Sequence, residues 1–187
     1  MAFERLIRDM AAAIARGDGA AAADCFCAEG VYHDVFYGAF PKAEIPRMVS
    51  DYFHRDATNF IWDMHDPVSD GHTGYARYVF SYDGRMPGSE GHRAIFEGVS
   101  VCTLRDGLIL AYHEVANTAP GLHRLGFPPE RLARVVARQA DALRLPARER
   151  DTAIADQGLI PLRHVVDQRM ASRQGRGLDD LFFIRVA

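Results

Sequence analysis

Residues 104–117 read LRDGLILAYHEVAN. Asp106-Gly107 is a strong two-residue turn signal, so the chain folds back here as a tight antiparallel hairpin. Side chains alternate along a strand, which puts Leu110, Tyr112, Glu114 and Ala116 on one side of the second arm. That side is expected to face inward, and it carries an acid among apolar and aromatic neighbours.

The pattern extends upstream. Residues 92–104, HRAIFEGVSVCTL, form the first arm, and parity sends His92, Ala94, Phe96, Gly98, Ser100 and Cys102 inward. A glycine-containing turn, DGRMPGSEG, links this arm to 74–84, GYARYVFSYDG, whose inward residues are Tyr78, Phe80 and Tyr82. Before it, 58–68, TNFIWDMHDPV, sets Phe60, Trp62 and Met64 against Ile61, Asp63 and His65. Residues 31–36, VYHDVF, give a further short strand with Tyr32 and Asp34 on one face. Helical spacing holds over 3–16, with Phe3, Leu6, Ile7, Met10, Ala13 and Ile14 on one stripe up to Gly17. Asp18 is placed to cap a second helix running through about Phe26 and ending near Gly30. A third helix spans 42–55, with Pro46 in its first turn. Three helices followed by four mostly antiparallel strands make an α+β fold, helices packed on one face of a curved, cone-shaped sheet.

After Asn117 the alternation stops. Residues 128–145, PPERLARVVARQADALRL, read as an amphipathic helix opened by prolines, and the rest of the chain to Ala187 mixes Arg and Asp with short apolar clusters. The expected division is a domain over 1–118 and a helical extension over 119–187, packed on the core or on a second subunit.

Composition narrows the function. The 187 residues are 48% hydrophobic and 25% charged, ordinary values for a globular protein with a real core. A formal charge of -3 without a basic block argues against nucleic acid as a partner. No apolar run is long enough to span a bilayer, and the start MAFERLIRDM lacks the apolar core of a signal peptide. Three cysteines, Cys25, Cys27 and Cys102, read as reduced thiols in a cytoplasm rather than a disulfide framework. They lack matching ligands for zinc, and His54, His65, His72 and His113 form no ligand pair on one face. Neither a metal nor a cofactor is expected.

Two segments, RGDGAAAADCFCAEGVYHD over 16–34 and the hairpin at 104–117, carry a resemblance to the nuclear transport factor 2-like superfamily. The likeness covers residues 1 to about 118 and points to its SnoaL-like and ketosteroid isomerase-like branch. In the isomerases, the ungapped distance from Gly17-Asp18 places the general-base aspartate on Asp34. The isomerase's two oxyanion donors do not carry over, because Met10 stands at the tyrosine and Ser100 at or near the protonated acid. Methionine cannot donate a hydrogen bond and a serine is the weaker electrophile, which disfavours steroid isomerisation by that route. In the polyketide cyclases the last-strand acid falls on Glu114. Asn117 replaces that family's final aspartate, and its histidine position falls near Ser100. His92, of the same parity eight residues earlier, is the imidazole that could serve instead.

The expected site is an aromatic cavity with Asp34, Glu114 and His92 as its ionisable groups. Tyr32, Trp62, Tyr78, Phe80, Phe96, Ser100 and Tyr112 are the expected substrate-binding residues. Two readings of Asp34 stay open, a desolvated acid in the cavity or a turn residue bonding its own backbone. Two functions follow. One is a cofactor-free enzyme moving a proton next to a carbonyl or hydroxyl of a small, hydrophobic, cyclic or aromatic compound, as an isomerase, dehydratase or cyclase. The other is a non-catalytic binding or assembly module. In that reading the odd-numbered outer face, with Val79, Val99 and Val101, pairs two copies of the chain. A homodimer is expected in either case.

Overall fold

The computed structural model describes residues 2–143. Its apolar stripes and strand parities follow the chain order closely. Helix α1, Phe3–Ala15, buries Phe3, Leu6, Ile7, Met10, Ala13 and Ile14, and stops where Gly17 turns at φ 83. Asp18 caps α2, Gly19–Asp24, by accepting the Ala21 N–H at 3.0 Å. The second helix is shorter than its spacing implies, because Phe26 already pairs with Ile109 in strand β1, Phe26–Asp34. Gly30 is therefore not a helix terminator. It lies in the irregular part of β1, where a Cβ would come within 2.7 Å of the Phe26 Cβ and 2.9 Å of the Ile109 carbonyl oxygen.

Strand β2, Gly38–Pro41, pairs back on β1 and sets Tyr32 opposite Phe40. The expected third helix is instead a broken one. A 3₁₀ turn at Lys42–Glu44 leads into α3, Ile45–Met48, a wide π turn at Val49–Phe53, and α4, His54–Asp56. Ile45, Met48, Val49 and Phe53 still share the buried side.

Strands β3, Ala57–Ser69, β4, Thr73–Gly84, β5, Arg93–Arg105, and β6, Leu108–Asn117, complete an open six-stranded sheet in the order β2-β1-β6-β5-β4-β3. All neighbours are antiparallel except β1 and β6, which run parallel. Two irregularities bend β3, where Asn59 and Asp66 take positive φ of 53 and 50. These residue types tolerate that region, and such bulges raise the local twist that curves a sheet. Helix α1 packs on β3, and Arg8 donates to the Met64 carbonyl at 2.8 Å.

Helix α5, Thr118–Arg124, follows β6 directly and packs on β5. It contains the pair Pro120-Gly121. The proline falls in the first turn, where its missing N–H costs nothing, and Gly121 is needed because a Cβ there would lie 2.2 Å from the Phe96 ring. The compact unit holding the sheet extends to Leu132. Helix α6, Pro129–Leu143, matches the proline-opened helix expected there. The part of the C-terminal extension from 144 onward lies outside the described residues.

Candidate active site

The inner face of the sheet, closed by the broken helix, forms a cavity of about 50 Å³, which is room for a few waters or a compact chemical group. Strand β1 contributes Tyr32 and Asp34, β3 gives Phe60 and Trp62, and β4 gives Tyr78, Phe80 and Tyr82. Phe96 of β5 and Glu114 and Ala116 of β6 complete the sheet wall, and Tyr37, Phe53 and Asp56 face them. Strand parity thus places the inward residues correctly on β4 and β5 and along the upper part of β6. Leu110 is the exception: the register shifts between Thr103 and Leu104, so Ile109 becomes the fully buried residue and Leu110 turns away.

Asp34 answers to both of its sequence readings. It closes the β1–β2 hairpin, its Oδ1 accepting the N–H groups of Phe36 and Tyr37 at 2.8 Å each. It also lines the cavity. Burial raises its pKa, while the two amide bonds act in the opposite direction by favouring the ionised form. Glu114 is raised as well, by burial first and then by the charge of Asp34. The Tyr78 hydroxyl donates to Glu114 Oε2 at 2.5 Å, which partly offsets that rise. Ionised Asp34 thus helps Glu114 keep its proton. Asp34 is raised to about 6 and Glu114 further, to about 8, so Asp34 gives up its proton first, the order that separates base from acid.

Among the expected substrate-binding residues, Tyr32, Trp62, Tyr78, Phe80 and Phe96 line the cavity. Ser100 and Tyr112 do not. They lie behind the wall, where the two hydroxyls bond at 3.2 Å and the Tyr112 ring stacks on Tyr32 with centroids 4.5 Å apart. Tyr112 still reaches Glu114 from there and favours its ionised form. His92 is also not among the lining residues. It precedes β5 in an exposed loop, and its Nδ1 bonds the Arg124 carbonyl oxygen at 3.1 Å.

Two polar atoms in the wall have no partner: the Tyr32 hydroxyl and the Trp62 indole N–H. Tyr32 is fully buried, so its unmet hydroxyl is a standing cost unless something in the cavity meets it. Asp56 is the acid that the sequence reading missed. It pairs with Arg55 at 2.7 Å and accepts the Tyr37 hydroxyl at 3.1 Å. Its only sequence signal was the run His54-Arg55-Asp56, which resembles any solvated helix end.

Other chemistry is sparse. Among the described residues, no group of three or more His, Cys, Asp or Glu is arranged to hold a metal. Cys25, Cys27 and Cys102 are buried and free, and burial pushes Cys25 up to about 11 and Cys102 to about 12. No described helix is long and apolar enough to cross a membrane.

Residues 7–112, more than half of the chain, match the SnoaL-like domain. The chain belongs to the SnoaL-like family. No curated protein matches it in sequence. Solved structures of the same fold include a Catenulispora acidiphila hypothetical protein with a ketosteroid isomerase-like fold, in complex with trimethylamine. It is 16% identical, with 66% of this chain and 93% of that one covered at a TM-score of 0.58. IdmH of Streptomyces antibioticus, a candidate polyketide cyclase, is 15% identical over 68% of this chain and 100% of its own, at 0.54. An LEH-like epoxide hydrolase of M. tuberculosis is 15% identical over 71% and 93%, at 0.51. At these identities the SnoaL-like chain shares their fold. The named activities are of enzyme type and differ from one another. In this SnoaL-like chain Met10 is fully buried in α1.

Proposed function

We propose that this SnoaL-like protein is a cofactor-free enzyme that moves a proton next to a carbonyl or hydroxyl of a small cyclic or aromatic compound. The observation that carries this reading is the pair Asp34 and Glu114, two half-buried acids on one cavity, both pushed up by desolvation, Asp34 to about 6 and Glu114 to about 8, so that Asp34 gives up its proton first. Asp34 in its ionised form takes a proton from the carbon beside the carbonyl. The electron pair of that C–H bond moves into the new carbon–carbon double bond, and the carbonyl π pair moves onto oxygen. Protonated Glu114 gives its proton to that oxygen, held in place by the Tyr78 hydroxyl. Reversal at a second carbon completes an isomerisation, and loss of a β-hydroxyl completes a dehydration. Tyr32 and Trp62 supply the unused donors that would orient the substrate oxygen.

The test follows hydrogen–deuterium exchange at the α-carbon of a panel of cyclic and aryl ketones by NMR. The wild-type protein is expected to accelerate exchange for at least one member, and Asp34→Asn to abolish it while leaving ketone affinity within a few fold. Unchanged exchange in that variant overturns the assignment.

The outer sheet face supports a homodimer as well. Val99 is 38% and Val115 73% exposed there, and Val79 and Val101 are half-buried. The non-catalytic module is the rival reading, favoured by this face, whereas an acid pair with no neutralising arginine among the described residues favours the enzyme. The three buried thiols support work in a reducing compartment such as the cytoplasm.

A further inference from the structure

We propose that the substrate of this cavity is a cation, a compact protonated or quaternary amine whose positive charge faces Asp34 and Glu114. The proposal rests on the proton-transfer reading for its site and extends that reading to the class of molecule admitted.

The first argument is a missing charge. Among the described residues, three carboxyl groups line the cavity and no Lys, Arg or His side chain does. The protein neutralises one of the three itself, holding Asp56 against Arg55 at 2.7 Å. Among the described residues, Asp34 has backbone amides as its partners, and Glu114 has hydroxyls and the Val35 amide. A buried negative charge without a counter-ion is costly, and removing it from water is repaid when a cation arrives. The pair holding one proton carries a single negative charge, which one ammonium balances.

The second argument is the wall. The rings of Phe60, Trp62, Phe80, Tyr82 and Phe96 enclose the rest of the space, with neighbouring centroids 4.7 Å apart for Trp62 and Phe80 and 5.7 Å apart for Tyr82 and Phe96. Aromatic faces around a cation are the usual way to hold an alkylated ammonium in a dry site. The third is the unmet Tyr32 hydroxyl, fully buried and lining the same cavity, which asks for a ligand oxygen within reach of the cation.

Binding is therefore linked to pH. The groups that face the acid pair are Tyr32 from β1, Tyr78 and Tyr82 from β4, Tyr112 from β6, Tyr37 from the hairpin, and Asp56 with Arg55 from α4. The tyrosines stay neutral through the working range, so the two acids carry the pH response.

The test compares choline with its neutral carbon isostere 3,3-dimethylbutan-1-ol by calorimetry on the full chain. Both carry one hydroxyl and neither titrates. Choline is expected to bind about tenfold more tightly at about pH 9, with the advantage lost at about pH 5 as the pair takes up protons. Glu114→Gln or Asp34→Asn is expected to remove most of the advantage while leaving the alcohol bound as before, which also reports a folded cavity. The proposal falls if the alcohol binds as tightly as choline, if the advantage survives both substitutions, or if choline shows no saturable binding up to about 10 mM. A win for the alcohol leaves the exchange test of Asp34 standing, and a failed exchange test leaves the choline result standing.

Discussion

The two faces of one sheet treat the same residue types in opposite ways. On the outside, acids meet arginines: Asp83 pairs with Arg93 at 2.7 Å, and Asp66 with Arg77 at 3.3 Å. Hydrogen bonds from Asn59 and Arg93 hold Asp83 below the ordinary carboxylate range. On the inside, Asp34 meets backbone amides and Glu114 hydroxyls, and burial pushes both above it. The histidines show the outer rule at its limit. His33 and His113 stack with centroids 4.0 Å apart, and burial followed by the neighbouring His113 pushes His33 down to about 3. The strands present acids to both faces, but among the described residues desolvation raises carboxyls on the inner one.

The largest effect that would break this contrast is Asp34→Asn, expected to lower α-carbon exchange by roughly 10²–10⁴-fold. Glu114→Gln comes next, at about 10²-fold, because glutamine keeps the shape but cannot give up a proton. Tyr78→Phe removes the hydroxyl that holds Glu114 and is expected to cost about tenfold, with a change in the pH profile rather than in ligand affinity.

Stability against pH sharpens the same comparison, read by urea denaturation across the pH range. A carboxyl whose folded pKa is raised binds its proton more tightly when folded, so its contribution is fully present below about pH 4 and fades as pH rises through the folded value. Glu114→Gln is expected to flatten that fall. His33 works the other way: its folded pKa is depressed, so stability falls as pH drops from about 6.5 toward about 3. His33→Gln is expected to flatten the acid limb alone.

Two smaller effects complete the set. Val115→Lys on the outer face is expected to shift the protein toward monomer in sedimentation without altering exchange per chain. Tyr32→Phe deletes an unmet buried hydroxyl, so thermal denaturation should show stability unchanged or raised by about 1 kcal/mol, against the loss usual for a buried tyrosine.

Much of the inner wall was legible because strand parity is a strict rule between bulges. Asp106-Gly107 fixed the hairpin, and the inward residues of β4 and β5 follow from it. The departures have local causes. Leu110 turned away at the register shift beside Thr103, which no residue type announces. Ser100 and Tyr112 have the right parity but lie deeper than the cavity floor, because alternation gives a face and not a depth. His92 precedes the first residue of its strand, where the alternation no longer binds it. Strand β2 is four residues long, too short for a period, and α5 was hidden by Pro120-Gly121. Asp56 stood next to an arginine in sequence, and only the broken helix before it brings it to the cavity.

The hairpin bonds of Asp34 also carry a stereochemical consequence. Oδ1 is committed to the Phe36 and Tyr37 amides, so Oδ2 is the oxygen left to accept a proton. A base with a single working oxygen, fixed by the backbone against rotation, collects and returns its proton from one side of the substrate. An isomerisation run by this site is therefore expected to be suprafacial, and a substrate deuterated on one face should keep part of its label through the transfer.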